Sequence, residues 1–403
     1  MKKLIFLTMA QMTNISRGGI YSALLRKFRN DGWDVYLVVP HERSLEMPTG
    51  LEEVDGVHLL GVRTLNLQKT NVIEKGIGQV LVESQYKAAI KKYLGDVKFD
   101  LILYSTPPIT FPNVIAYLKK ENPQAKSYLL LKDIFPQNSV DIGMMRKTGV
   151  KGFLYKFFRN KEKKLYQLSD HIGCMSTANV EYVLKHNPEV SADKVEVAPN
   201  SVELNLNVIF NLDRKAVMEK YRLPIDKPIF IYGGNLGKPQ GIPYLIECLD
   251  ANANREDCYF LIIGTGTELP KLMAWYDEKR PKSVKIMRGL PKAEYDELVR
   301  TCDVGLIFLD HRFTIPNYPS RLLSYLENKM PVLCATDPNT DMGQIAEENG
   351  YGYWCESLHP EDFTALVDKM LQSDRKAMGE RGYEFLKKNY TVQNTYDAIM
   401  RHI

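Results

Sequence analysis

The strongest constraint on this chain is a regular alternation of short apolar runs with amphipathic ones along most of its length. "KLIFLTM" (3–9) reads as a buried strand. "GGIYSALLRKFRNDG" (18–32) carries apolar residues at helical spacing, and "DVYLVVP" (34–40) is a second strand. Strand, helix and strand in that order make a βαβ unit, and repeated units make a parallel sheet. The series continues through "FDLILYSTPP", "KSYLLLKDIFP", "HIGCMST" and the helix "ANVEYVLKHN", and closes with "KVEVAPNSV". A second series opens at "KPIFIYGGNLG" and runs through "CYFLIIGTG", "SVKIMRGL", "DVGLIFLD" and "PVLCAT", with helical patterns between them. Residues 360–403 read as mostly helical.

With 403 residues the chain exceeds one ordinary core, so two domains are expected. The expected fold class is α/β, with two Rossmann-like doubly wound domains facing an interdomain cleft. The joint falls in the polar stretch 198–214. That gives a first domain over 1–200, a second over 201–385, and a C-terminal helix in 386–403 packing back on the first. Ligands of such folds bind outside the carboxyl ends of the strands.

Composition narrows the function. Apolar residues make up 44% and charged residues 25%, ordinary for a soluble globular chain. A net charge of +4 excludes a strongly basic nucleic-acid protein as the default, so no nucleic-acid partner is expected. The six cysteines form no C-x-x-C pair, which argues against a disulfide framework or zinc site and for a reduced, cytoplasmic setting. "MKKLIFLTMAQ" lacks a small-residue cleavage site and is read as the first strand rather than a leader. No apolar run reaches about 18 residues, so no membrane span is expected.

Six stretches carry candidate chemistry. "GGNLGKPQG" (233–241) ends a strand and precedes a helix; the backbone of Gly234 and Asn235 suits a diphosphate, with Lys238 adding charge. "GTGTELPKL" (264–272) repeats the pattern, placing Gly264 and Gly266 against a base or ribose. "YPSRLLSYLENKMPV" (318–332) starts a helix with Ser320 as candidate N-cap. Arg321 in its first turn runs against the usual preference for an acid, which makes sense as an anion clamp. Ser324 lies one turn on, placed to meet a sugar hydroxyl. "LKDIFPQNSVDIG" (131–143) puts Asp133 at the mouth of a strand, a candidate for sugar binding or proton transfer. "SRGG" (16–19) brings Gly18 and Gly19 to the start of a helix. The sixth stretch, 146–164, holds eight Lys/Arg and one acid, with Phe153, Leu154, Phe157, Phe158 and Leu165 at helical spacing. It reads as a helix lying on an anionic membrane through Phe153, Lys156, Phe157, Arg159, Lys163 and Lys164. No Asp-x-Asp, His cluster or HExxH occurs, so no metal is expected.

Taken in order, "APNSVE", "YGGNLGKPQG", "IIGTGTEL", "MRGLPKAEYDELVRTCDVGL" and "YPSRLLSYLENKMPVL" resemble family-4 glycosyltransferases of the GT-B fold. The "DIFPQNSVDIG" and "PSRLLSYLENKMPV" variants look like the bacterial branch that builds surface polysaccharides and lipid-linked sugars. The resemblance implies a retaining transfer from a nucleotide sugar, UDP-linked, with no separate cofactor. It places Gly18 and Gly19 in the N-domain glycine loop, Arg288 and Pro291 beside the base, and Asp133 in the "D-x-x-P" loop for acceptor activation. Many members carry Arg where Asn235 stands and Lys where Gln240 stands. Two glutamates separated by seven residues, common in the family, would fall at Pro316 and Ser324, and neither is Glu. Asn317 or Tyr318 is left to contact the sugar. The expected partners are a nucleotide sugar, a lipid-linked acceptor and an anionic membrane surface, with the enzyme peripheral at the inner face of the cell membrane. A nucleotide-sugar epimerase of the same fold and a non-catalytic sugar-nucleotide-binding subunit are the alternative readings.

Overall fold

The computed structural model describes residues 1–16, 18–67, 72–204 and 212–403. Arg17 of the "SRGG" stretch and residues 205–211 of the expected joint lie outside them. The chain forms two compact units, Met1–Glu203 with Val392–Ile403, and Leu204–Thr391.

The first unit holds β1 (Lys3–Leu7), α1 (Ile20–Asn30), β2 (Asp34–Glu42), β3 (Gly50–Val54), β4 (Val57–Thr64), α2 (Val72–Leu94), β5 (Leu101–Ser105), α3 (Pro112–Glu121), β6 (Lys126–Leu131), α4 (Gln137–Asp141), α5 (Val150–Leu168), β7 (His171–Cys174), α6 (Thr177–His186) and β8 (Val195–Val197). Its strands lie in the order β3-β4-β2-β1-β5-β6-β7-β8, with only β3 antiparallel to its neighbour. Central strands such as β5, "LILYS", are buried throughout, as a parallel sheet covered on both faces requires.

The second unit holds α7 (Arg214–Lys220), β9 (Ile229–Asn235), α8 (Ile242–Ala251), β10 (Tyr259–Thr265), α9 (Leu269–Lys279), β11 (Val284–Arg288), α10 (Lys292–Val299), β12 (Val304–Phe308), α11 (Arg321–Glu327), β13 (Val332–Thr336), α12 (Met342–Glu348), β14 (Gly352–Glu356), α13 (Pro360–Gln372) and α14 (Arg375–Asn389). Its strands are all parallel, in the order β11-β10-β9-β12-β13-β14. The last helix, α15 (Val392–Met400), belongs to the first unit. Tyr396 packs its ring 4.8 Å from Phe28 of α1, and the Thr395 hydroxyl donates to the Pro199 carbonyl at 3.0 Å. Each sheet reverses its winding once, between β1 and β5 and between β9 and β12, which marks the expected ligand edges. Among the described residues no helix is long and apolar enough to cross a membrane.

Candidate functional site

In the second unit the winding reversal is held by a tyrosine. Tyr325 of α11 puts its hydroxyl between two strands: it accepts from the Gly233 N–H at 3.2 Å and lies 3.1 Å from the Ile231 carbonyl and 3.3 Å from that of Leu306. Gly305 of β12 is glycine because a Cβ there would overlap the Tyr325 ring. Arg321 lies four residues earlier and therefore on the same helix face. Its guanidinium sits 4.2 Å from the centre of the Tyr232 ring and beside Gly234. Gly234 has φ 133°, a conformation that L side chains rarely adopt. Arg321 Nη1 is shielded from solvent and, among the described residues, has no hydrogen-bond partner. A buried guanidinium nitrogen without an acceptor is costly and is suited to binding an anion. The structure thus brings together the two sequence-expected elements, Arg321 and the Gly233–Gly234 strand end.

The neighbouring residues divide. Lys238 is exposed in the turn after β9. Asn235 donates to Gln240 Oε1 at 3.1 Å, and Gly237 N–H reaches the same oxygen at 3.2 Å, so Asn235 and Gln240 brace one loop. Gly264 and Gly266 are accounted for without a ligand. A Cβ on Gly264 would overlap the Gly234 carbonyl oxygen, and one on Gly266 would overlap the Leu236 backbone. Arg288, in register with Gly264, and Pro291, at the start of α10, are exposed at the same strand edge. Asn317 is half-buried, its N–H held by Thr340 Oγ1 at 3.0 Å. Ser324 is half-buried one turn after Arg321.

Two expectations are corrected here. Ser320 occupies the N-cap position of α11 but makes no side-chain cap; its helical backbone aims the hydroxyl elsewhere. Tyr318 is buried and its hydroxyl is joined to that of Tyr390, so it belongs to the core rather than to a sugar contact. Sequence reasoning missed Tyr232, Tyr295 and Tyr325, which build the floor under Arg321. A Cβ on Gly233 would overlap the Tyr295 phenol. The signal was present in "YGG" and "SRLLSYLE", but strand register was needed to pair them.

In the first unit Asp133 follows β6. Asn138 Nδ2 donates to its carboxylate at 2.7 Å, yet burial pushes its pKa up to about 6. Burial likewise pushes the adjacent Lys132 down to about 7, with its Nζ on the Ala198 carbonyl at 2.9 Å. An acid poised near neutrality is suited to accept a proton. Gly18 and Gly19 are exposed before α1.

The face of α5 splits. Phe153 is 80% exposed, Phe157 39% and Leu154 49%, and Lys156 is exposed among them. Phe158 and Leu165, expected on the same face, are buried instead; Phe158 packs 5.0 Å from Phe135, two residues beyond Asp133. Arg159 does not belong to the exposed set. It donates to Glu162 at 2.7 Å, to the His186 carbonyl at 2.9 Å and to Asn187 at 2.6 Å. Lys163 pairs with Glu189 at 3.1 Å and Lys164 donates to Asn113 at 3.3 Å, so both are partly engaged within the unit.

Two doubly wound α/β units of this kind are the GT-B fold, and the match of the second unit to a glycosyltransferase family, together with two glycosyltransferase relatives, makes the protein an enzyme that transfers sugars. Residues 213–385 match the family described as glycosyl transferases group 1. The chain is 22% identical over 328 residues to the probable glycosyltransferase WbjE of Pseudomonas aeruginosa, covering 80% of this chain and 78% of that one. It is 24% identical over 208 residues to the putative colanic acid biosynthesis glycosyl transferase WcaI of Escherichia coli, 51% of this chain and 49% of that one. The crystal structure of Anabaena HepE in complex with UDP and glucose superposes with a TM-score of 0.71 at 12% identity, covering 100% of this chain and 99% of the other.

Proposed function

We propose that the protein is a retaining, metal-independent glycosyltransferase of the family-4 type. It moves a sugar from a UDP-sugar to a lipid-linked acceptor in bacterial polysaccharide synthesis, at the cytoplasmic face of an anionic membrane. The observation that carries this reading is the Arg321 guanidinium beside Gly234, with a buried nitrogen that has no acceptor among the described residues. In the reaction the bond between anomeric carbon and diphosphate oxygen breaks and the electron pair leaves with the diphosphate. Arg321 and Lys238 neutralise that developing charge, the kind of stabilisation that dominates such rates. The acceptor oxygen bonds to the carbon, and its proton passes to Asp133. The UDP and glucose in the HepE structure and the polysaccharide pathway in the WcaI name support the donor and the setting. The exposed Phe153 and Phe157 with Lys156 support the membrane.

A thermal-shift screen of nucleotide sugars tests this directly, since a ligand that binds only the folded chain raises its Tm. UDP-sugars should raise it and uridine alone should do so less. A screen in which no nucleotide sugar moves Tm would sink the proposal.

A further inference from the structure

The β2–β4 pair of the first unit runs past the rest of its sheet. Leu7, the last residue of β1, stands in register with Val38, and β2 continues to Glu42. On the other side β3 leaves β4 at Gly61, opposite Gly50. In the projecting ribbon Glu42 and Thr64 are register partners, so their side chains leave the same face side by side. His41 takes the other face, its ring packed on Gly61 and its Nδ1 3.0 Å from the Pro48 carbonyl.

Glu42 is 2% exposed and Thr64 3% exposed. Among the described residues, neither Glu42 Oε1 nor Thr64 Oγ1 has a hydrogen-bond partner. Gln85 Oε1, on the helix α2 that packs on β4, is a third buried oxygen in the same condition. Other buried acids of this unit show the contrast. Glu83 receives Asn113 Nδ2 at 3.0 Å and Lys161 at 2.5 Å, and Glu162 receives Arg159 at 2.7 Å and Tyr166 at 2.8 Å. A buried carboxylate oxygen without a donor is rare and costly, so one kept at the carboxyl edge of a doubly wound sheet points to a ligand.

We propose that Glu42 and Thr64 form the floor of a saccharide subsite, taking the hydroxyls of a neutral sugar. The chemistry selects that class. The Glu42 oxygens accept, and Thr64 both accepts and donates, so the ligand brings O–H donors. A phosphate is disfavoured by repulsion from the carboxylate. The proposal rests on the reading of the protein as a sugar transferase that takes an acceptor in its first unit. The sugar belongs either to that acceptor or to a free saccharide.

The test uses the full chain with Glu42→Gln, Glu42→Leu and Thr64→Val. Calorimetric titration with glucose, galactose and N-acetylglucosamine reads the free-saccharide source. The KM for a bacterial lipid extract as acceptor, with a UDP-sugar donor, reads the acceptor source. In one of these arms Glu42→Gln should weaken binding or raise KM by about tenfold or more, the loss expected for a hydrogen bond to a charged group. Ligand-free Glu42→Leu should melt above the wild type, because it removes a buried polar oxygen that has no partner among the described residues; a merely structural glutamate would melt lower on replacement. UDP affinity should stay within about twofold in every variant, since the donor unit is untouched. Glu42→Gln leaving both arms unchanged would overturn the subsite. Wild-type chain that fails to bind UDP would instead sink the transferase reading, and the monosaccharide titration would still decide Glu42.

Discussion

Arg321→Met removes the guanidinium that lies over Tyr232 while keeping an unbranched apolar side chain in its place. In the ligand-free protein the arginine gives up little, since its Nη1 bonds nothing among the described residues and its contact is the Tyr232 face at 4.2 Å. A cation–π contact is worth about 0.5–2 kcal/mol, and removing the buried unpaired nitrogen offsets part of it, so Tm should move by only a few degrees. The diphosphate complex loses much more. A hydrogen bond to a charged group contributes about 1.5–3 kcal/mol, which is about 10- to 150-fold in Kd. Titration calorimetry with UDP and with uridine separates the two terms. UDP affinity should fall by that factor while uridine affinity stays within about twofold, because only UDP carries the phosphates. If Arg321→Met binds UDP as the wild type does, the anion-clamp assignment is wrong. If both ligands weaken equally, the arginine shapes the pocket and does not hold phosphate.

Four further variants have outcomes set by the geometry. Asp133→Asn should lower transfer by about 10²- to 10⁴-fold as expected for loss of a general base. Wild-type activity should rise with pH through about 6, where Asp133 ionises. Because its folded pKa lies above the unfolded one, the folded state holds more protons between about pH 4 and 6; stability falls as pH rises through that window, and denaturant titrations of the asparagine variant should lack this slope. Gly264→Ala should cost about 1–3 kcal/mol in chemical denaturation and weaken UDP binding, because its Cβ meets backbone at Gly234, which cannot rotate away; unchanged stability would contradict the close approach. Phe153→Ser with Phe157→Ser should reduce sedimentation with anionic vesicles by about tenfold or more, as burying each phenyl group is worth about 1.5–3 kcal/mol. Arg159→Ala should leave vesicle binding largely intact and lower Tm, since its partners are Glu162, His186 and Asn187.

The βα alternation made the two units legible, because a parallel sheet writes itself as short apolar runs separated by amphipathic ones. Arg321 was legible too, as a cation where a helix start prefers an acid. What placed it, the Tyr325 phenol bridging the β9 and β12 backbones, depends on register between residues some 90 positions apart in sequence. The glycines of "GTGTEL" were visible but their cause was not: they yield space to the crossing backbone of 234–236. Tyr318 reads, with Asn317, as one of two candidate sugar contacts because its partner Tyr390 lies 72 residues on. The amphipathic spacing of α5 was read as one aromatic face, whereas Phe158 and Leu165 turn inward. Arg159 is drawn from the basic face by carbonyl and carboxylate partners that a charge count does not reveal. Glu42 was hidden at the end of "DVYLVVPHE", where an apolar run gives no sign that its last residue keeps an oxygen without a partner among the described residues.

The most direct measurement is the release of UDP from a panel of UDP-hexoses by the wild-type chain, with and without a bacterial lipid extract. A transferase of this design releases UDP from one donor of the panel, faster by an order of magnitude or more when the extract is present, and Arg321→Met loses that release. No UDP release from any donor, or release at the same rate without acceptor lipid, would contradict sugar transfer to a lipid-linked acceptor.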